Sequence, residues 1–251
     1  EIFKPQTTGE LQAAVNLWIS DKATALSAHG EINTWDVSLI TNVINLFRSK
    51  PTFNDDISNW DVSNVTRFES MFQSASGFNQ DLSSWDVSSA SHLGDIFRDA
   101  SSFNQDISDW NVSGVSSMSG VFNGASSFNQ DLSSWDVSSV TEMEYMFRGA
   151  TNFNGDISSW DVSSVIDLSS IFRSATSFNQ TLLSWDVSSV TDMHDMFQDA
   201  TSFNGDISGW DVSSATNMEG VFWNASSFNQ DISSWDVSSV TNMTAMFQHA
   251  T

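Results

Sequence analysis

Tryptophan recurs every 25 residues along this chain, at Trp35, Trp60, Trp85, Trp110, Trp135, Trp160, Trp185, Trp210 and Trp235, and that period restricts the fold more than any other property of the sequence. Each is followed two residues later by valine (Val37 to Val237) and three later by serine (Ser38 to Ser238). A second column runs from Phe47 through Phe72 and Phe97 to Phe247, and a third from Phe53 through Phe78 to Phe228, each member of the third followed by asparagine. A short unit cannot bury an apolar face alone, so nine copies are expected to stack and share one continuous core. An enzyme has no use for nine identical rungs, and the repeat argues against catalysis.

One copy reads as two elements. In Ile57-Ser58-Asn59-Trp60-Asp61-Val62, Trp60 and Val62 share a face at the period of a strand. Val65, Phe68, Met71, Phe72 and Ala75 then recur at three- and four-residue spacing, the stripe of a short helix over residues 66–75. Thr66 with Glu69, Thr141 with Glu144 and Thr216 with Glu219 fit a capping box at its start. The first thirty residues break the period. Leu11, Val15, Trp18, Ile19 and Leu26 predict an amphipathic helix from about Gly9 to Ala28, stopped at His29-Gly30.

The unit quoted from Phe228 to Met243, FNQDISSWDVSSVTNM, with Met246-Phe247 after it, resembles the mycoplasma-lipoprotein-type 25-residue repeat grouped with BspA-like surface leucine-rich repeats. I-x-x-W-x-V stands where those repeats have L-x-x-L-x-L. The resemblance covers about residues 31–251 and implies surface exposure with adhesion or recognition; it brings no catalytic residues. The expected fold is therefore α/β, a right-handed leucine-rich-repeat-like solenoid with one short parallel strand and one short helix per 25-residue rung. Residues 1–30 are expected to be a helical cap and 31–251 the nine-unit array; its last unit keeps an intact apolar stripe, so the array is expected to continue beyond Thr251 or, as the alternative, to dock that end on a partner.

Composition narrows the function. The chain has 31 acidic against 8 basic side chains, a formal charge of −23, and no cysteine. That charge opposes nucleic acid and anionic lipid and suits cations or basic partners. Without cysteine there is no disulfide framework, zinc–thiolate site or cysteine nucleophile. No apolar run approaches the roughly 20 residues of a membrane span. His29, His92, His194 and His249 occupy unrelated repeat positions, and neither a G-x-S-x-G nor a phosphate-loop pattern occurs.

The remaining candidates are the repeated polar columns. Asp36, Asp61, Asp86, Asp136, Asp161, Asp186, Asp211 and Asp236 lie between Trp and Val, with Asn111 as the exception; a second column is Asp56, Asp81, Asp106, Asp131, Asp156, Asp206 and Asp231, with Thr181 as the exception. Alternation points the first column outward. In parallel strands its carboxylates lie roughly 4.8 Å apart, where repulsion is about 1 kcal/mol per neighbour even in water. Bonds to turn backbone, bridging cations such as calcium, or plain solvation must offset it. Asp61, Asp86, Asp136, Asp161, Asp186, Asp211 and Asp236 are thus candidate weak cation contacts. The Asn column (Asn54 to Asn229) reads as a turn-bonding ladder. Arg48, Arg98, Arg148 and Arg173 share one position, read as the end of each helix, where its dipole favours a cation. Trp223 occupies that position in its own copy and is a candidate exposed contact. The functional expectation is an extracellular or cell-surface scaffold, not an enzyme, recognising a protein, a glycan or another copy of itself. Its rival is a structural, cation- or mineral-associated acidic array.

Overall fold

The computed structural model describes residues 2–250. It opens with α1 (Thr8–Ser20) and α2 (Lys22–His29), followed by one 3-10 turn, Ile32–Thr34. The single N-terminal helix expected from the sequence is two. Asp21 divides them: its N–H closes α1 on the Leu17 carbonyl, while its carboxylate accepts from the Thr24 N–H at 3.1 Å and the Thr24 hydroxyl at 2.6 Å, capping α2.

The α/β leucine-rich-repeat expectation is overturned. Among the described residues no helix follows Thr34, and strand pairing is confined to seven isolated parallel bridges, Asn42–Arg67 being the first and Asn217–Asn242 the last. The Trp-Asp-Val segment, expected to be a strand, consists of turns. The Trp60 N–H donates to Ile57 O (3.1 Å) and the Val65 N–H to Val62 O (2.8 Å), each a three-residue closure. Asp61 Oδ1 takes the Ser63 N–H between them (3.1 Å). Aspartate, serine and asparagine offer such local bonds, and they divert the very N–H groups that a sheet would need.

The segment expected to be helical fails for a different reason. Two residues per rung, four apart, have positive φ in all nine rungs: Asn45 and Ser49, Ser70 and Ser74, Asp95 and Asp99, and so on to Ala245 and His249. A left-handed residue every fourth position stops a right-handed helix from propagating. Instead the N–H groups alternate. Met71, Gln73 and Ala75 donate to Phe68, Ser70 and Phe72 within their own rung, at 2.9–3.1 Å. Phe68, Ser70, Phe72 and Ser74 donate to His92, Gly94, Ile96 and Arg98 in the next rung, at 2.7–3.1 Å. The three-residue closures reproduce the spacing of a helical stripe, and the capping-box residues do other work: Thr66 Oγ1 donates to Thr41 O and Glu69 pairs with Arg67.

The expected core is present. Trp60, Val62, Val65, Phe68, Met71, Phe72 and Ala75 are buried, and so are their equivalents across the interior rungs. Phe72 lies 4.1 Å (ring centroids) from Phe78 in its own rung, and the Phe47-to-Phe247 column stacks at 5.4–5.9 Å between rungs. Each buried indole keeps its polar edge satisfied: Trp135 Nε1 donates to Ile107 O (3.0 Å) in the preceding rung. The Asn column bonds as expected, Asn129 Oδ1 accepting the Asn154 N–H (2.8 Å).

The N-terminal helices lie against the first rung, with Trp18 buried edge-on to Trp35 at 5.8 Å. In the second rung, Arg67 O and Met71 O accept from the backbone of Val43 and Phe47. The first rung has no predecessor, and its equivalent carbonyls, Asn42 O and Leu46 O, accept instead from Thr8 Oγ1 (2.8 Å) and Gln12 Nε2 (3.0 Å), one helical turn apart on α1. Two side chains thus stand in for a strand edge.

Candidate functional site

The two aspartate columns are held by one device. In the first, Oδ1 of Asp36, Asp61, Asp86, Asp136, Asp161, Asp186, Asp211 and Asp236 accepts the N–H of the serine two residues on, at 3.0–3.1 Å. Asn111 Oδ1 accepts the Ser113 N–H (3.2 Å) in the same way. In the second column Asp56 to Asp231 do likewise at 2.8–3.0 Å. Of the three ways to offset repulsion along the columns, turn bonding is the one visible in every rung.

The electrostatics follow. Hydrogen bonds from the Ser138 hydroxyl and N–H hold the Asp136 carboxyl below the ordinary aspartate value. Ser213 lowers Asp211 in the same way, against a smaller opposing push from Asp236 one rung away. Asp36 is brought lowest, to about 2, by Lys4 first and then Ser38. Among the described residues, no three acidic or histidine side chains converge as metal ligands.

The other polar column, Arg48, Gln73, Arg98, Asn123, Arg148, Arg173, Gln198, Trp223 and Gln248, follows the second phenylalanine. No helix ends there, so a helix dipole does not place its arginines; the alternating coil does. Arg98 lies 3.6 Å from both Asp95 and Asp99, and Arg173 donates to Asp195 at 3.0 Å. Arg148 sits over the Tyr145 ring at 5.9 Å. Trp223 is half-buried rather than fully exposed, two rungs beyond Arg173. Arg98, Arg148 and Arg173 line one hollow of about 330 Å³ with Asp99, Asn123, Gly124 and Gly149. Sequence reading found these arginines but missed the hollow. Its signal was glycine at the left-handed position of two successive rungs, Gly124 and Gly149. The histidines stay apart: His92 meets Ser91, His194 meets Asp192, and His29 lies against Phe3.

The sequence matches the family described as Mycoplasma protein of unknown function, DUF285, over residues 18–119, 106–186 and 155–251. The chain belongs to this family. The match confirms a repeat protein and goes no further than that; the leucine-rich-repeat subtype is not part of it. Among curated proteins no significant match was found. No helix of this DUF285 protein, among its described residues, is long and apolar enough to cross a membrane.

Proposed function

We propose that this DUF285 protein is a non-catalytic recognition or adhesion scaffold at a cell surface or outside the cell, taking a protein or glycan ligand or another copy of itself. The observation that carries the reading is the Asp–Ser turn. Eight of the nine rungs present a carboxylate between Trp and Val, and each is fixed in the same pose by the serine two residues on. A regular, pre-oriented surface loses little conformational entropy on binding, which favours recognition over an extended contact. The resemblance to surface repeats supports the same location.

The test separates surface from fold. In Asp136→Asn/Asp161→Asn/Asp186→Asn the turn acceptor remains, as Asn111 shows, and only charge is lost. Beads coated with this variant should adhere less to cells or glycan surfaces than beads coated with the parent chain, with no more than a small drop in melting temperature. Equal adhesion would remove the proposal.

One observation favours the rival, a cation-associated array: neighbouring carboxylates such as Asp211 and Asp236 do repel one another. Calcium bridging them would stabilise the fold by about 2.7 kcal/mol at a hundred times its dissociation constant. The expected result is a melting curve that responds alike to calcium and to monovalent salt of equal ionic strength. A calcium-specific rise, reversed by chelator and near one ion per rung by calorimetry, would install the array in place of the scaffold.

A further inference from the structure

Three of the eight basic side chains in a chain of charge −23 converge on a single hollow. Arg98, Arg148 and Arg173 line it against one carboxylate, Asp99. Ion pairing accounts for two of the three: Arg98 with Asp95 and Asp99, and Arg173 with Asp195. Arg148 has no carboxylate within ion-pair distance among the described residues, and its guanidinium rests over the Tyr145 ring. Tyr145 itself has φ 62, at a position where other rungs hold glycine, asparagine, aspartate, serine or alanine. A ring that large in left-handed backbone is strained, and strain of this kind collects where a side chain has to be held for a purpose. Gly149 leaves its part of the floor open, a Cβ there meeting only Gly124 backbone, its Cα at 3.6 Å, whereas the Asp99 carboxylate lies over Gly124, 2.3 Å from the corresponding point.

We infer that this hollow binds an oxyanion group, a carboxylate, sulfate or phosphate, between Arg148 and Arg173 on adjacent rungs. Guanidinium forks match such groups in two-point contact, and a partly enclosed hollow strengthens that contact relative to open water. Arg98 lies two rungs from Arg148, roughly 10 Å at the spacing of paired chains, within reach of a second anionic group where the ligand carries one. The ligand class is therefore a small anion carrying one or more such groups, and the strong negative charge elsewhere rejects anions that miss the hollow. The site is independent of the aspartate face and of where the protein works.

Titration calorimetry on the full chain would use two probes, inorganic sulfate and sucrose octasulfate, at fixed ionic strength. Saturable binding of either, weakened tenfold or more in Arg148→Gln/Arg173→Gln and unchanged in Arg48→Gln, is the expected result. Glutamine already occupies this column at Gln73, Gln198 and Gln248, so the variant should fold, and a matching circular dichroism melt would verify it. Binding of sulfate alone identifies a free anion as ligand; binding of the sugar sulfate alone identifies an anionic saccharide. No saturation of either probe at about a millimolar, or binding that survives the double variant, or equal loss in Arg48→Gln, overturns the site.

Discussion

The Asp–Ser turns and the arginine column run the length of the same stack, yet the first barely changes between rungs and the second changes almost everywhere. Asp36 to Asp236 have one exception in nine, and that exception, Asn111, keeps the same hydrogen bond. The other column passes through arginine, glutamine, asparagine and tryptophan. In a stack with one backbone path, a column stays fixed where every rung needs the same bond to close. It drifts where the backbone already satisfies itself and the side chain is free for other uses. Regularity therefore marks a bond that the turn needs, whatever else its exposed side chain does, and departures from it mark either tolerance or a local site.

Removing a fixed occupant should do the most damage. Trp135→Ala opens a cavity in the middle of the stack and strands Ile107 O, which now accepts from the indole. A loss of about 3–5 kcal/mol is expected in denaturant melts. A loss under about 1 kcal/mol would mean that neighbouring rungs collapse into the space and that the fixed columns are not what holds the stack.

Tyr145→Gly acts on a drifting column and should act the other way. Gly120 and Gly220 occupy the equivalent position, and relieving a left-handed tyrosine should stabilise by about 1–2 kcal/mol. The same change removes the ring beneath Arg148. A higher melting temperature together with weaker anion binding is the expected pair of results, whereas stabilisation with binding intact would detach Tyr145 from the hollow.

A smaller effect is expected at Ile166, the one residue without a hydroxyl in the column Thr41, Thr66, Ser91, Ser116, Thr141, Ile166, Thr191, Thr216 and Thr241. Thr141 and Thr191 each donate to the carbonyl one rung back. Ile166 cannot, and the Glu142–Asp167 junction is the one where the series of parallel bridges is interrupted. Its side chain is 58% exposed, so little burial is lost on replacement. Ile166→Thr should stabilise by about 1 kcal/mol, and amide exchange near residues 142 and 167 should slow.

The aspartate turns give the smallest effect per residue and a definite sign. Their folded values lie below the unfolded value for Asp81, Asp86, Asp106, Asp136, Asp156, Asp186, Asp206, Asp211, Asp231 and Asp236. Folding then favours the ionised form. The stability they add is complete above about pH 4 and is lost as pH falls toward 2, where Asp36 titrates last. Melting temperature should drop across that window. A rise instead would show that relief of repulsion along the columns outweighs the turn bonds.

What could be read in the sequence follows the same division. The period, the buried columns and the Asn ladder depend on residue type at a fixed offset, and each was legible; turn bonding of the aspartates was one of three alternatives, and its serine partners came only with the structure. The path of the backbone was not. Val65, Phe68, Met71, Phe72 and Ala75 carry the spacing of a helix, but the second hydrogen bond of each pair lies in a neighbouring rung, so no single unit read alone reveals it. The alternating left-handed residues gave little warning, since Ser70 and Ser74 do not have the glycine signature that Gly120 and Gly124 do. In the N-terminal helices, Asp21 falls inside the helix expected over Gly9–Ala28, and its capping of α2 through Thr24 emerged only in three dimensions.

The contacts of Thr8 and Gln12 give the stack a polarity. A coil whose carbonyls and N–H groups point along its axis is a template that a like coil can extend. With Asn42 O and Leu46 O already engaged by α1, the first rung no longer offers those acceptors to a second molecule. Of the four acceptors by which each later rung meets its predecessor, the first rung thus has two occupied from within the chain, so one helical turn makes end-to-end pairing at that face less favourable with no change to the repeat itself.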